Sequence, residues 1–165
     1  MRDRSEEFLT IYETHADAIF RYCYVRLRDR EAAKDAVQET FLRTWRWLND
    51  GNEAESIRAV LYRTAMNITV DEYRRRRTDS LDAMLVQGFD VPDHAVPSPL
   101  LAARLSEAMA LVSRLEPAYR DVLMMRHVED MPVKEIAAVL GENENAVSVR
   151  IHRAIKQLNE LHHHA

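Results

Sequence analysis

From Met131 the chain reads Met131-Pro132-Val133-Lys134-Glu135-Ile136-Ala137-Ala138-Val139-Leu140-Gly141-Glu142-Asn143-Glu144-Asn145-Ala146-Val147, and continues Ser148-Val149-Arg150-Ile151-His152-Arg153. A small residue in mid-helix, a glycine at the turn and an apolar residue early in the next helix make a helix-turn-helix pattern. Such a unit sets its second helix in a major groove, N-terminal residues toward base edges. On that reading Glu144, Asn145, Ser148, Val149 and His152 face bases, while Arg150, Arg153 and Lys156 stand near phosphates. The chemistry is hydrogen bonding and charge pairing to duplex nucleic acid. The same pattern also describes two packed helices with a glycine turn and no such role. Glu142 and Glu144 beside the groove argue for weak intrinsic affinity.

Two more groups of polar side chains share helix faces. In the stretch Ile57 to Arg77, the spacing of Ile57, Val60, Leu61, Thr64 and Ile68 predicts a buried stripe. Arg63, Asn67 and Arg74 line another face beside the run Arg74-Arg75-Arg76-Arg77, which suits a nucleic-acid backbone. Tyr62, Met66 and Tyr73 lie on a third side, where core packing is favoured over stacking on unpaired bases, a contact worth about 1–3 kcal/mol per base. In Ala33 to Trp45, stepping about 100° per residue puts Ala33, Ala36, Val37, Thr40, Phe41, Thr44 and Leu48 on a core face. Asp35, Gln38, Glu39, Arg43 and Arg46 share the opposite one. Leu42 stands alone in that polar arc, which reads as a docking surface; a single exposed leucine on an ordinary surface helix fits the periodicity equally well.

For bond-making chemistry the residues are missing. No nucleophile-base or phosphate-loop pattern appears, and Glu129 and Asp130, being adjacent, do not converge from a helix. His162-His163-His164 read as a tail, a weak metal-binding tract at best. Cys23 is the only cysteine, which excludes an internal disulfide and leaves it as core filler. The expectation is a protein without enzyme activity, cofactor, metal or small-molecule substrate.

The elements that carry these groups are all helical. Spacings of three and four recur from Glu6 to Leu161, no strand-length alternation occurs, and the three glycines, Gly51, Gly88 and Gly141, fall where the pattern breaks. Predicted helices span Glu6 to Arg28, with Phe8, Ile11, Tyr12, Ile19, Tyr22, Cys23 and Val25 at helical spacing, Arg30 to Leu48, and Ile57 to Arg77. The break at Arg28-Asp29-Arg30 reads as a kinked turn. Asn49 to Ser56 is a loop by composition, with Ser56 as N-cap. Further helices run from Ser98 or Pro99 to Leu115, from Pro117 to Val128, from Val133 to Leu140 with Pro132 opening it, and from Glu144 to Leu161, the last placing Val147, Ile151, Ala154, Ile155 and Leu158 on one face.

Segment 78–99 holds three of the five prolines and four aspartates without one basic residue, and reads as a linker in which Leu81 to Val86 makes at most one weak turn. The fold class is therefore all-α, two small helical domains (1–77 and 100–165) joined by an acidic, proline-containing linker, the second with a helix-turn-helix. The net charge is −4. Residues 1–77 carry 15 basic and 14 acidic side chains, and 100–165 carry 8 and 9, so neither domain holds nucleic acid by charge alone. No apolar run approaches the roughly 20 residues that span a bilayer, and the N-terminus lacks a signal-peptide core; a cytoplasmic protein without membrane insertion is expected.

Taken together, Ala33 to Trp45, then Leu61-Tyr62-Arg63 followed by Asn67 and Asp71, then the helix-turn-helix ending Arg150-Ile151-His152-Arg153-Ala154 resemble the extracytoplasmic-function group of bacterial sigma factors, along nearly the whole chain. The resemblance implies a two-domain transcription initiation factor with sigma region 2 in residues 1–77 and region 4 in 100–165. It implies that Asp35, Gln38, Glu39 and Leu42, flanked by Arg43 and Arg46, dock on core RNA polymerase. It implies that the loop holding Asn49, Asp50, Gly51 and Asn52 captures a flipped base of the −10 promoter element while Arg63, Asn67, Arg74 and Arg75 engage melting DNA. Asn145, Ser148, Val149, Arg150, His152, Arg153 and Lys156 then meet the −35 element as duplex, and the linker follows the RNA exit path. An anti-sigma factor is an implied partner beside polymerase and promoter DNA.

Several positions depart from the family pattern. Lys34 stands where an acid is usual, Val60 where tryptophan is common, Ser148 and Val149 where a basic residue and a serine are frequent, and Glu142 where an apolar residue follows the turn glycine. The alternative function is a helix-turn-helix transcriptional regulator whose N-terminal helices serve as a sensor or dimerisation module.

Overall fold

The computed structural model describes residues 3–79 and 98–164, excepting the side chains of 77–79, 101, 102 and 105. The described residues form helices and their connections, without strands. They fall into two compact units, Met1–Met84 and Leu85–Ala165.

In the first unit, α1 (Arg4–Leu27), α2 (Arg30–Asn49) and α3 (Ile57–Asp79) pack on one another. Asp3 caps α1 by accepting from the Ser5 N–H, and Glu6 and Glu7 occupy its positive end. The break at Arg28 is a true chain reversal, not the kinked turn expected from sequence. Arg28 adopts the left-handed conformation (φ 53°) and Asp29 caps α2 by accepting from Ala32 N–H at 3.0 Å. Early α1 then meets late α2: Phe8 lies 4.8 Å from Trp45, and Tyr12 4.8 Å from Phe41, between ring centroids. Tyr12 is nonetheless largely exposed instead of core. The core contains Ile19, Tyr22, Cys23 and Val25 from α1 with the face Ala33, Ala36, Val37, Thr40, Phe41 and Thr44 of α2. Thr40 and Thr44 donate to the carbonyls of Ala36 and Thr40 at 2.7 and 2.8 Å, so their hydroxyls are buried without loss.

In α3 the buried stripe is rotated from the expected one. Of Ile57, Val60, Leu61, Thr64 and Ile68 only Leu61 is fully buried; Ala59, Tyr62, Ala65 and Thr69 take the other core places. Small Ala59 and Ala65 let the α3 backbone approach α1 and α2, and the Tyr62 ring packs edge-on against Tyr22 at 5.3 Å. Hydrophobicity alone ranked the bulky aliphatic residues above these alanines and so turned the wheel by about one residue. Tyr62, Met66 and Tyr73 do not share a fate: Tyr62 is buried, Met66 half-buried and Tyr73 exposed. Helix α3 also continues to Asp79, two residues past the expected domain end.

The second unit contains α4 (Pro99–Ser113), α5 (Pro117–Leu123), α6 (Val133–Leu140) and α7 (Glu144–His163). Pro117 opens α5, where its missing N–H is no loss. The single helix expected to Val128 changes instead at Met124 into a π-helical turn, Met124–Val128, closed by Glu129 N–H to Met124 C=O at 3.0 Å. The wider turn puts Met124, Met125 and Met131 together in the core, with Arg126 Nη1 holding the Met131 carbonyl at 3.0 Å. Helix α6 has the expected bounds, Val133–Leu140, with Pro132 as its N-cap just ahead of the first turn. Gly141 (φ 67°) ends α6, and the Glu142 N–H donates to Ala137 C=O at 3.1 Å, a Schellman closure. Asn143 Oδ1 accepts from the Ala146 N–H at 2.8 Å and starts α7 two residues later. Val147, Ile151 and Ala154 of α7 are buried, whereas Ile155 is exposed and Leu158 half-buried. The weak turn expected at Leu81 to Val86, and most of the linker, lie outside the described residues.

Candidate functional site

On α2, the face opposite the core is a continuous polar arc. Asp35, Gln38, Arg43 and Arg46 are exposed, Glu39 is half-buried, and Leu42 is 43% exposed. Asp35, Gln38, Glu39 and Arg46 span an arc of about 100° with Leu42 near its middle. Arg43 Nε sits 2.6 Å from Glu39 Oε1, which fixes both side chains beside the leucine. Lys34 pairs with Glu31 at 3.2 Å. That pair is solvent-exposed and weak, yet it draws the ammonium toward the first turn and away from Asp35, its neighbour of opposite sign.

A cleft of about 440 Å³ separates this face from the end of α3, lined by Asp29, Asp35, Glu39 and Arg43 on one side and Glu72, Arg75 and Arg76 on the other. Arg76 bridges it, 3.1 Å from Asp29 Oδ2 and 3.1 Å from Glu72 Oε1. Arg75 reaches the same Glu72 oxygen at 2.8 Å. The Ala32 N–H, then Arg76, hold the Asp29 carboxyl below its ordinary range. Arg75 first, and then Arg76, do the same for Glu72. The structure thus separates Arg75 from Arg63, Asn67 and Arg74, which lie exposed within about 40° of one another on the outer face of α3.

Asn49, expected in the loop, instead ends α2, and Asp50, Gly51 and Asn52 begin the loop before α3; all four are exposed, and Gly51 needs its positive φ of 90° for the reversal. Asn52 Nδ2 donates to the Trp47 carbonyl at 2.8 Å, tying the loop to the end of α2. Ser56 accepts from the Ala59 N–H at 3.2 Å and so caps α3 as expected. A small cleft, about 160 Å³, opens between this loop and α1 and is lined by Phe8, Trp45, Leu48, Asn49 and Asn52.

On α7, Asn145, Ser148, Val149, His152, Arg153 and Lys156 are exposed. All but Arg153 fall in an arc of about 100° opposite Val147, Ile151 and Ala154; Arg153 flanks it. Arg150 departs from this group. It leaves the helix near the core edge, is half-buried, and places Nη2 2.7 Å from both carboxylate oxygens of Glu142.

Comparison with known proteins decides the family. The model for sigma-70 region 2 matches residues 11–78 and that for sigma-70 region 4 matches residues 105–158. The ECF RNA polymerase sigma factor SigL of Mycobacterium tuberculosis is 32% identical over 151 residues, covering 90% of this chain and 84% of SigL. This chain belongs to the ECF sigma factors of RNA polymerase. The sigma factor BldN of Streptomyces coelicolor is 29% identical over 165 residues, 95% of this chain and 61% of BldN. Among solved structures, CnrH in complex with the cytosolic domain of CnrY matches with a TM-score of 0.71 and 26% identity, over 96% of this sigma factor and 88% of CnrH. RpoE of Bartonella quintana, at 17% identity and a TM-score of 0.76, shares the fold.

The region 2 match of this sigma factor takes in the α2 face, the Asn49–Asn52 loop and the α3 face; the region 4 match takes in the helix-turn-helix. Among the described residues no helix is long and apolar enough to cross a membrane. Two interactions were missed in reading the sequence. Arg76 and Asp29 are 47 residues apart, which no local pattern reveals. Glu142 and Arg150 are eight apart across a turn, beyond helical pairing rules; a carboxylate where the turn normally carries an apolar residue was the available signal.

Proposed function

We propose that this sigma factor binds core RNA polymerase through Asp35, Gln38, Glu39, Leu42, Arg43 and Arg46 in the cytoplasm, and directs it to promoters without chemistry of its own. The carrying observation is Leu42, 43% exposed at the centre of a polar arc whose opposite face is fully packed. A leucine there gains from burial that only a partner supplies. The Asn49–Asn52 loop takes up a base of the −10 element, and Arg63, Asn67 and Arg74 follow the backbone of the melting strand. Arg75 is engaged by Glu72 and contributes to this strand only by leaving it. Asn145, Ser148, Val149, His152, Arg153 and Lys156 meet the −35 duplex. The linker 78–99 follows the RNA exit path. An anti-sigma partner belongs to the same reading, since CnrH was solved with the cytosolic domain of CnrY.

Run-off transcription with core polymerase over a promoter library, with and without this chain, tests the reading. A set of templates transcribed only when the chain is present is the expected result. No promoter-dependent transcript from any template would sink it.

A further inference from the structure

In the region 4 unit one arginine of the recognition helix is bound by its own chain. Arg150 Nη2 lies 2.7 Å from Oε1 and 2.7 Å from Oε2 of Glu142, and both side chains are half-buried. Glu142 is the single residue between the αL glycine and the α7 cap, its N–H fixed on Ala137 C=O. Its carboxylate is therefore held at the N-terminal end of α7, the end that a helix-turn-helix brings to DNA. Arg150 starts eight residues later, so its side chain runs back along the helix toward that end, as helical side chains do. A partly buried, charge-assisted contact of this length is stronger and less screened than a surface pair. Arg153 and Lys156 make no such contact and stay exposed.

We propose that Glu142 withholds Arg150 from the DNA backbone and so lowers the intrinsic DNA affinity of the recognition helix. The inference rests on the reading of α7 as the duplex-contacting helix. Each phosphate neutralised by a protein cation contributes about 0.9 to the slope of log K against log salt. Releasing one guanidinium therefore tightens binding about 15-fold at 50 mM salt and about fourfold at 200 mM, relative to 1 M salt.

The test is a salt series of fluorescence-anisotropy titrations of the full chain on a labelled random-sequence duplex, which reports phosphate contacts without needing the promoter sequence. Glu142→Gln is expected to steepen the slope by about 0.9 and to give the gains above. Glu142→Ala is the second variant, and circular dichroism melts check the fold of each. Arg150→Gln alone is expected to leave the slope unchanged, because that guanidinium neutralises no phosphate, while the uncovered Glu142 carboxylate lowers affinity by repulsion. Combined with Glu142→Gln it is expected to abolish the gain.

An unchanged slope in both Glu142 variants overturns the inference. So does a gain that survives in the double variant, because Glu142 would then act by plain repulsion of phosphates. A salt slope lowered by Arg150→Gln as far as by Arg153→Ala also overturns it, showing Arg150 already on DNA. Arg153→Ala separates the two levels. If it leaves binding unchanged, α7 does not meet the duplex and the underlying reading falls with the inference; if it weakens binding while Glu142→Gln changes nothing, the inference alone falls.

Discussion

Leu42→Ala separates the proposed polymerase face from the fold. Full burial of a leucine side chain stabilises by about 1.5–3 kcal/mol, so a partner that covers the 43% still exposed recovers about 0.6–1.3 kcal/mol. Polymerase affinity should fall about threefold to ninefold. Asp35→Ala removes a charged hydrogen-bonding group worth about 1.5–3 kcal/mol where it is paired, so the double variant should lose at least about 30-fold. Asp35 is exposed and supports no core contact, while the part of Leu42 already covered limits the stability change to about 0.9–1.7 kcal/mol. Phe41→Ala is the contrast: its ring is 4% exposed, packs on Phe8 and Tyr12, and its loss costs about 3–5 kcal/mol. That is a large part of the whole stability of a small domain. Equilibrium competition with labelled wild-type chain for core polymerase, paired with thermal melts, measures both quantities. Unchanged competition by the double variant, or a melt lowered as far as that of Phe41→Ala, would refute the assignment of this face.

Further expectations follow from the ion pairs, the turn and the α3 face. Asp29 and Glu72 have folded-state pKa values lowered from 3.8 and 4.5, so the unfolded chain protonates first, and the stability they contribute is present above those values and lost as pH falls below them. Arg76→Ala should flatten this acid limb in urea midpoints; identical limbs with and without Arg76 would rule the bridge out. Gly141→Ala should cost about 1 kcal/mol from the left-handed backbone alone, since the space around it is open, and Gly141→Asn should cost less. Equal thermal midpoints for all three proteins would contradict this. Arg63→Ala and Arg74→Ala should each lower the salt slope of holoenzyme binding to single-stranded −10 DNA by about 0.7; an unaltered slope would remove them from that interface.

The fold class was readable because helical periodicity and punctuation agreed. Gly141 and Asn143 mark a turn whose geometry follows from an αL glycine and a capping asparagine, and the α2 core face emerged residue for residue save Leu48, which is half-buried. Helix α3 was harder because two of its core places are taken by alanines, Ala59 and Ala65, which count for little in a hydrophobicity pattern. The π-helical turn at Met124–Val128 escaped for a different reason: it preserves an apolar, helix-compatible sequence and reveals itself only in where Met131 must go. Among site residues, types and faces were legible for Arg63, Asn67 and the α7 arc. What each arginine is bound to was not, because the deciding carboxylates lie across a turn or on another helix.

That last point changes what the charge count means. Counting 15 basic residues in 1–77 against 14 acidic ones treats every cation as available to DNA. Yet Arg43, Arg75, Arg76 and Arg150 each hold a carboxylate of this chain, at 2.6, 2.8, 3.1 and 2.7 Å. Three of these contacts line the cleft beside the Leu42 face, where they set the shape and charge a partner would meet. The cations left exposed on the proposed DNA-binding surfaces, Arg63 and Arg74 on α3 with Arg153 and Lys156 on α7, sit on separate units. Few contacts per unit make each one's affinity weak, with a shallow salt dependence. Joining both units on one polymerase converts the second contact into an intramolecular one, whose effective concentration can raise the combined affinity by orders of magnitude without a new interaction. The sparse basic surface is thus a reason for promoter binding to depend on the enzyme that carries the factor.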